Sequence, residues 1–122
     1  MRGLLRIGLG TLALLGATPL MAHHSFAMFD NQKEVVLDGT VREFQWTNPH
    51  SWLQLNVARD GKTVEYSIEL GSPNTMSRKG WRRSTFKPGD RVSVVINPMR
   101  DGSHGGALVS AVDAAGNRLT MR

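Results

Sequence analysis

Two runs of alternating apolar and polar residues, 51–58 and 63–70, flank Arg59-Asp60-Gly61-Lys62, and this arrangement constrains the fold more than any other feature of the chain. In the first run Leu53, Leu55 and Val57 alternate with Gln54 and Asn56; in the second Val64, Tyr66, Ile68 and Leu70 alternate with Glu65, Ser67 and Glu69. Strand side chains point to opposite faces in turn, so each run has one apolar face, and Asp-Gly between them suits a tight two-residue hairpin turn. A lone hairpin cannot bury that face and is marginal in water. The rest of the chain must supply more strands.

It does so in a readable order. Residues 34–46 are rich in β-branched and aromatic side chains and predict one long coiled strand, with Gly39 where it bulges or bends sharply. Thr47-Asn48-Pro49-His50 is a turn signal. After the hairpin, Gly71-Ser72-Pro73-Asn74 breaks the pattern, and Asn74 or Thr75 is placed to cap a short helix running to about Gly80. Lys87-Pro88-Gly89-Asp90 reads as a turn, residues 91–97 as a strand through Val92, Val94 and Ile96, residues 98–106 as a mobile glycine-containing loop, and residues 107–112 as a fifth strand. Ala115-Gly116-Asn117 is a further turn, and residues 118–121 a short terminal extension.

The expected class is all-β: a small five- to six-stranded OB-like barrel with one short helix between strands three and four. Closing the sheet removes its exposed edges. An open β-sandwich or another small barrel shares this order along the chain, because chain order does not fix pairing in space. The chain has no cysteine, so the fold must stand without disulfides, and thiolate metal sites and cysteine nucleophiles are excluded. A metal would have to use histidine, methionine, carboxylate or a free amino terminus.

Ahead of the strands, Arg2 and Arg6 precede an apolar stretch from Ile7 to Ala17, then Thr18-Pro19-Leu20-Met21-Ala22. This order predicts a secretory signal peptide over residues 1–22, cleaved after Ala22, and a single OB-like β-barrel domain over residues 23–122. The apolar run is shorter than the roughly 20 residues that span a bilayer, so the mature protein is expected not to be an integral membrane protein. A periplasmic address follows, and it disfavours nucleic acid as a partner. Without the two leader arginines, the 15 basic residues become 13 against 10 acidic ones, which lowers the net charge from +5 to +3.

Cleavage after Ala22 makes His23 the first residue. Its free amine and its own imidazole can chelate one ion, and a second imidazole completes a three-nitrogen set suited to Cu(II). His50, in the turn beside Ser51 and Trp52, is the expected third ligand; His24 is a further candidate and His104 a weaker one. A cut after Met21 would instead begin the chain at Ala22-His23-His24, a different copper-chelating arrangement. Met28, Met76, Met99 and Met121 lack the clustering of a methionine-rich copper tract and read as packing residues. No nucleophile stands with a base in any recognisable motif, so the chain is expected not to be an enzyme; Glu65 and Glu69 share a strand face, which reads as the solvent face. The remaining function class is an interaction module: Arg78, Arg82 and Arg83, with Trp52 and Trp81, offer a surface for an acidic or carbohydrate partner of the envelope.

Four stretches together, His23-His24-Ser25-Phe26, Trp46-Thr47-Asn48-Pro49-His50-Ser51-Trp52, Glu69-Leu70-Gly71-Ser72-Pro73-Asn74 and Arg78-Lys79-Gly80-Trp81, resemble a family of small exported proteins common in Gram-negative bacteria and known only as a domain of unknown function. The resemblance runs from His23 to about Gly102. It implies the exported address and binds the His-His start, the Asn-Pro-His turn and the Gly-Trp element into one design. It brings no activity with it. Leu20 departs from the pattern, since a small residue would make the cut cleaner.

Overall fold

A computed structural model describes residues 26–121. The expected signal peptide, its expected cut after Ala22 and the His23-His24 pair lie outside the described residues. The elements follow in the order β1 (Val35–Gln45), β2 (Trp52–Arg59), β3 (Lys62–Glu69), a helix, here α1 (Pro73–Arg78), β4 (Arg91–Pro98), β5 (Gly105–Asp113) and β6 (Arg118–Thr120). Strand neighbours run β3-β2-β1-β4-β5-β6, and an additional pairing of β3 with β5 closes the first five into a barrel. The predicted OB-like barrel, with its helix between strands three and four, is therefore the fold. The open sandwich is excluded by the closing pair.

The hairpin forms as the alternation predicts, in full register from Trp52↔Glu69 to Arg59↔Lys62, with Asp60 and Gly61 at φ 50 and 74 in the turn. β1 serves two neighbours in succession, pairing β4 from Val35 to Thr40 and β2 from Thr40 to Gln45. Its bulge falls between Val41 and Glu43 rather than at Gly39. Gly39 is instead a point of close approach, since a Cβ there would stand 2.5 Å from the Asn56 carbonyl oxygen.

Two other boundaries differ from expectation. The helix is capped by Ser72, whose Oγ accepts from the Thr75 amide at 3.3 Å. Pro73 then occupies the first turn, where its fixed φ and missing N–H cost nothing, so the start lies upstream of Asn74. The terminal extension is a true strand, β6, paired with β5 from Ser110↔Thr120 to Val112↔Arg118 outside the ring.

The core is built from the inward faces of the strands: Leu53, Leu55, Ile68, Val94 and Ile96 are fully buried, each contributing about 1.5–3 kcal/mol by leaving water. Trp81, also 0% exposed, plugs one region of this core against Phe44 and Phe86, with ring centroids 6.4 and 6.0 Å away. Its indole N–H donates to the Thr120 carbonyl at 3.1 Å, which ties β6 to the segment after α1. Met76 anchors α1 in the same core. No helix among the described residues is long and apolar enough to cross a membrane.

Candidate functional site

The closing seam between β3 and β5 is short: only Ser67↔Gly105, Ile68↔Gly106 and Glu69↔Ala107 pair, in parallel. Gly105 permits this approach to β3, and Gly106 next to it permits an equally close approach to β4 on the other side. A Cβ on Gly105 would stand 2.6 Å from the Ser67 carbonyl oxygen, and one on Gly106 would stand 2.4 Å from that of Asn97, both far inside van der Waals contact. The segment ahead of β1 runs along this seam and is stitched to it. Phe29 forms a β-bridge with Met99, the Asp30 amide donates to the Pro98 carbonyl at 2.8 Å, the Arg100 amide donates to the Met28 carbonyl at 2.8 Å, and the Asn97 side-chain amide donates to the Lys33 carbonyl at 2.7 Å.

This cover changes the role of Glu69. Strand alternation puts Glu65 and Glu69 on one face, expected to meet solvent. Glu65 does so, forming an exposed ion pair with Arg42 at 3.0 Å. Glu69 is only 9% exposed, because it ends β3 at the seam. A buried carboxylate needs a partner, and His50 supplies one: its Nδ1 lies against Glu69 Oε1.

The turn before β2 brings that histidine into place. The Asn48–Pro49 peptide is cis, and the Thr47 hydroxyl donates to the His50 carbonyl at 2.8 Å. Ser51, fully buried, fastens the turn to the far end of the hairpin: its amide donates to the Gly71 carbonyl, its carbonyl accepts from the Leu70 amide, both at 2.9 Å. His50 is thereby set beside Glu69. A carboxylate oxygen accepts, so His50 donates through Nδ1, and Nε2 is the ring nitrogen left for another partner. His50 and Glu69 line a cavity of about 420 Å³ whose other walls include Phe26, Phe29, Leu70, Leu108 and Met121. A second cavity of about 170 Å³ shares Glu69 and Phe29 with the first and is lined also by Trp52, Met28, Met99 and His104.

The other predicted site residues separate. Trp52 is half-buried and faces the smaller cavity. Trp81 is inside the core and has no face to offer a partner. Arg78 and Arg83 are exposed, while the Arg82 guanidinium donates to the Ser77 and Trp81 carbonyls at 3.2 and 2.8 Å and so closes the end of α1. None of the three arginines lines either cavity. Among the described residues, no three of His, Cys, Asp or Glu converge as a ready metal cage.

The loop leading to His104 has its own anchor. Asp101 Oδ1 accepts from the Ser103 hydroxyl at 2.6 Å and from its amide at 2.9 Å, and these bonds hold the Asp101 carboxyl below the ordinary aspartate range. The loop expected over residues 98–106 is thus shorter, since Gly105 and Gly106 already belong to β5. Sequence reasoning missed two things here: the burial of Glu69, and the meeting of Met28, Met99 and His104.

A model of the family of unknown function DUF6152 matches residues 12–109, a span that includes the His-His start, the Asn-Pro-His turn and the Gly-Trp element and ends within β5. No curated protein and no solved structure matches the chain.

Proposed function

The chain belongs to the DUF6152 family, whose function is unknown, and we propose that it is a periplasmic metal-binding protein that holds Cu(II) at the larger seam cavity, through His50 and the amino-terminal histidine left by signal cleavage. The contact between His50 Nδ1 and the buried Glu69 carboxylate carries this reading. Metal-ligating histidines characteristically donate their other ring N–H to a carboxylate or carbonyl, which fixes the tautomer and makes the free nitrogen a better donor. His50 has this arrangement at the wall of a cavity.

Phe26 lines the same cavity. His24 precedes it by two residues and His23 by three, so the chain between them spans at most about 7 and 11 Å. The proposed set joins the amine and imidazole of a terminal His23 to His50, with His24 as a further donor. Three nitrogens of this kind suit Cu(II). Among the described residues His50 is the one imidazole that lines this cavity, so the reading depends on the amino terminus.

The test uses the exported protein, with its first residue fixed by intact mass. Titration with Cu(II), followed by calorimetry and electron paramagnetic resonance, should give one nitrogen-rich site that is lost in His50→Ala and weakened when an extra alanine precedes His23. Equal affinity in His50→Ala would refute it.

A second reading has its own support: most of the cavity wall is apolar, and Phe26, 67% exposed, stands at it. A small organic ligand with one hydrogen-bond donor for His50 Nε2 suits such a wall. Binding of hydrophobic probes that survives His50→Ala and is lost in Phe26→Ala separates this from the metal reading.

A further inference from the structure

Four methionines outside the leader divide into two kinds. Met76 is fully buried and Met121 packs against the core, which is the packing role that their sequence suggests. Met28 and Met99 do something else. Met28 is 44% exposed, Met99 is half-buried, and both line the smaller cavity together with His104 and Trp52. We propose that Met28, Met99 and His104 form a binding site for a soft monovalent cation, Cu(I) or Ag(I), with the Trp52 indole at its wall.

The chemistry of the donors selects the ion. Two thioethers and one imidazole are neutral and polarizable, a set that favours Cu(I) or Ag(I) over hard oxygen-seeking ions and over Zn(II), which prefers thiolate, imidazole and carboxylate. An indole beside a bound cation adds attraction through its ring face.

The backbone fixes all three donors although they are remote in sequence. The Arg100 amide holds the Met28 carbonyl at 2.8 Å, the Met99 amide donates to the Gly105 carbonyl at 3.2 Å, and the Ser67 amide donates to the His104 carbonyl at 3.1 Å. The His104 ring also rests on Tyr66, with centroids 5.2 Å apart, which limits its rotation. Each attachment uses the β3–β5 seam or the segment that covers it, so the site exists only in the folded barrel. It shares no ligand with the proposed Cu(II) site and does not rest on that reading.

The experiment uses the exported protein labelled with ¹³C at the methionine methyls, and Ag(I) as a probe that does not change oxidation state. Ag(I) should shift the Met28 and Met99 signals and leave those of Met76 and Met121 in place. The Met28→Leu/Met99→Leu double variant, close in volume, should lose more affinity for Ag(I) and for chelator-buffered Cu(I) than the roughly 10–100-fold that removal of an outer-shell partner costs. His104→Gln should weaken binding as well, and His50→Ala should leave it unchanged. Shifts at all four methyls or at none, retained affinity in the double variant, or loss in His50→Ala would each overturn the assignment. The methyl shifts of the unsubstituted protein decide the matter even if a variant fails to fold.

Discussion

Glu69→Gln tests the larger cavity most directly, because it changes charge with almost no change in shape. Glu69 Oε1 meets His50 Nδ1 with the carboxylate side chain 10% exposed and the imidazole 38%, so water screens the pair only from the histidine side. A glutamine oxygen can accept the same proton, and His50 keeps its orientation. What is lost is the charge assistance, the difference between about 1.5–3 kcal/mol for a hydrogen bond to a charged group and about 0.5–1.5 for a neutral one. Relief of the buried charge acts in the opposite direction. The metal-free barrel should therefore change stability by no more than about 1 kcal/mol, which for about 100 residues is a shift in Tm of roughly 4–8 °C. Cu(II) affinity should fall much further in proportion, by about 10–100-fold, because the carboxylate no longer raises the basicity of the ligating nitrogen. Competition titration with a Cu(II) chelator reads the affinity, and calorimetry without metal reads the fold. A folded Glu69→Gln protein within about threefold of the unsubstituted affinity would refute the reasoning, since a carboxylate that accepts from the ligating histidine should matter by at least about tenfold.

Three further expectations concern the frame around the site. Gly106→Ala places a Cβ 2.4 Å from the Asn97 carbonyl oxygen and 2.9 Å from Ile96 Cδ1; the backbone must move, at a cost of about 1–3 kcal/mol, read as a lower urea midpoint with unchanged slope. Trp81→Ala empties a fully buried site and cuts the tie to Thr120; it should cost about 3–5 kcal/mol and, in amide exchange, release β6 before the barrel strands. Asp113 is held below the ordinary aspartate range first by the Asn117 side chain and then by the Asn117 amide. Its stabilising contribution is therefore complete above the ordinary carboxylate pKa and disappears as pH falls through the lowered value, and Asn117→Ala should move the Asp113 titration, followed by NMR, back upward.

Which of these features the sequence reveals depends on how local their causes are. The β2–β3 hairpin is legible because each strand writes its own alternation and Asp60-Gly61 sits between them. The barrel order is legible for the same reason, strand by strand. The seam is not, since nothing near Glu69 in sequence announces that Ala107 will lie beside it or that Phe29 will bridge to Met99. Read locally, Glu69 is one more outward residue like Glu65; only closure buries it. The tandem Gly105-Gly106 was a usable signal, because two residues without Cβ at a strand start permit the closest backbone approach. It reads as loop flexibility until the opposing carbonyls of Ser67 and Asn97 are known. Trp81 shows the converse error, a tryptophan beside arginines that suggests a binding surface and in fact fills the core.

The placement of both cavities at the seam has a physical cause. β2 and β3 pair through eight residues, whereas β3 and β5 close the barrel through three. So short a parallel ladder leaves edges that need cover, and the segment ahead of β1 provides it through Phe29 and Met99. Where Gly105 and Gly106 face the smaller cavity, β5 presents no side chains for the covering segment to pack against. Gaps remain, and the side chains around them are those of the cover, Phe26 and Met28, and of the strand ends, Glu69 and His104. Gly105, which makes closure on β3 sterically feasible, is thus also part of the reason for the space at the smaller cavity.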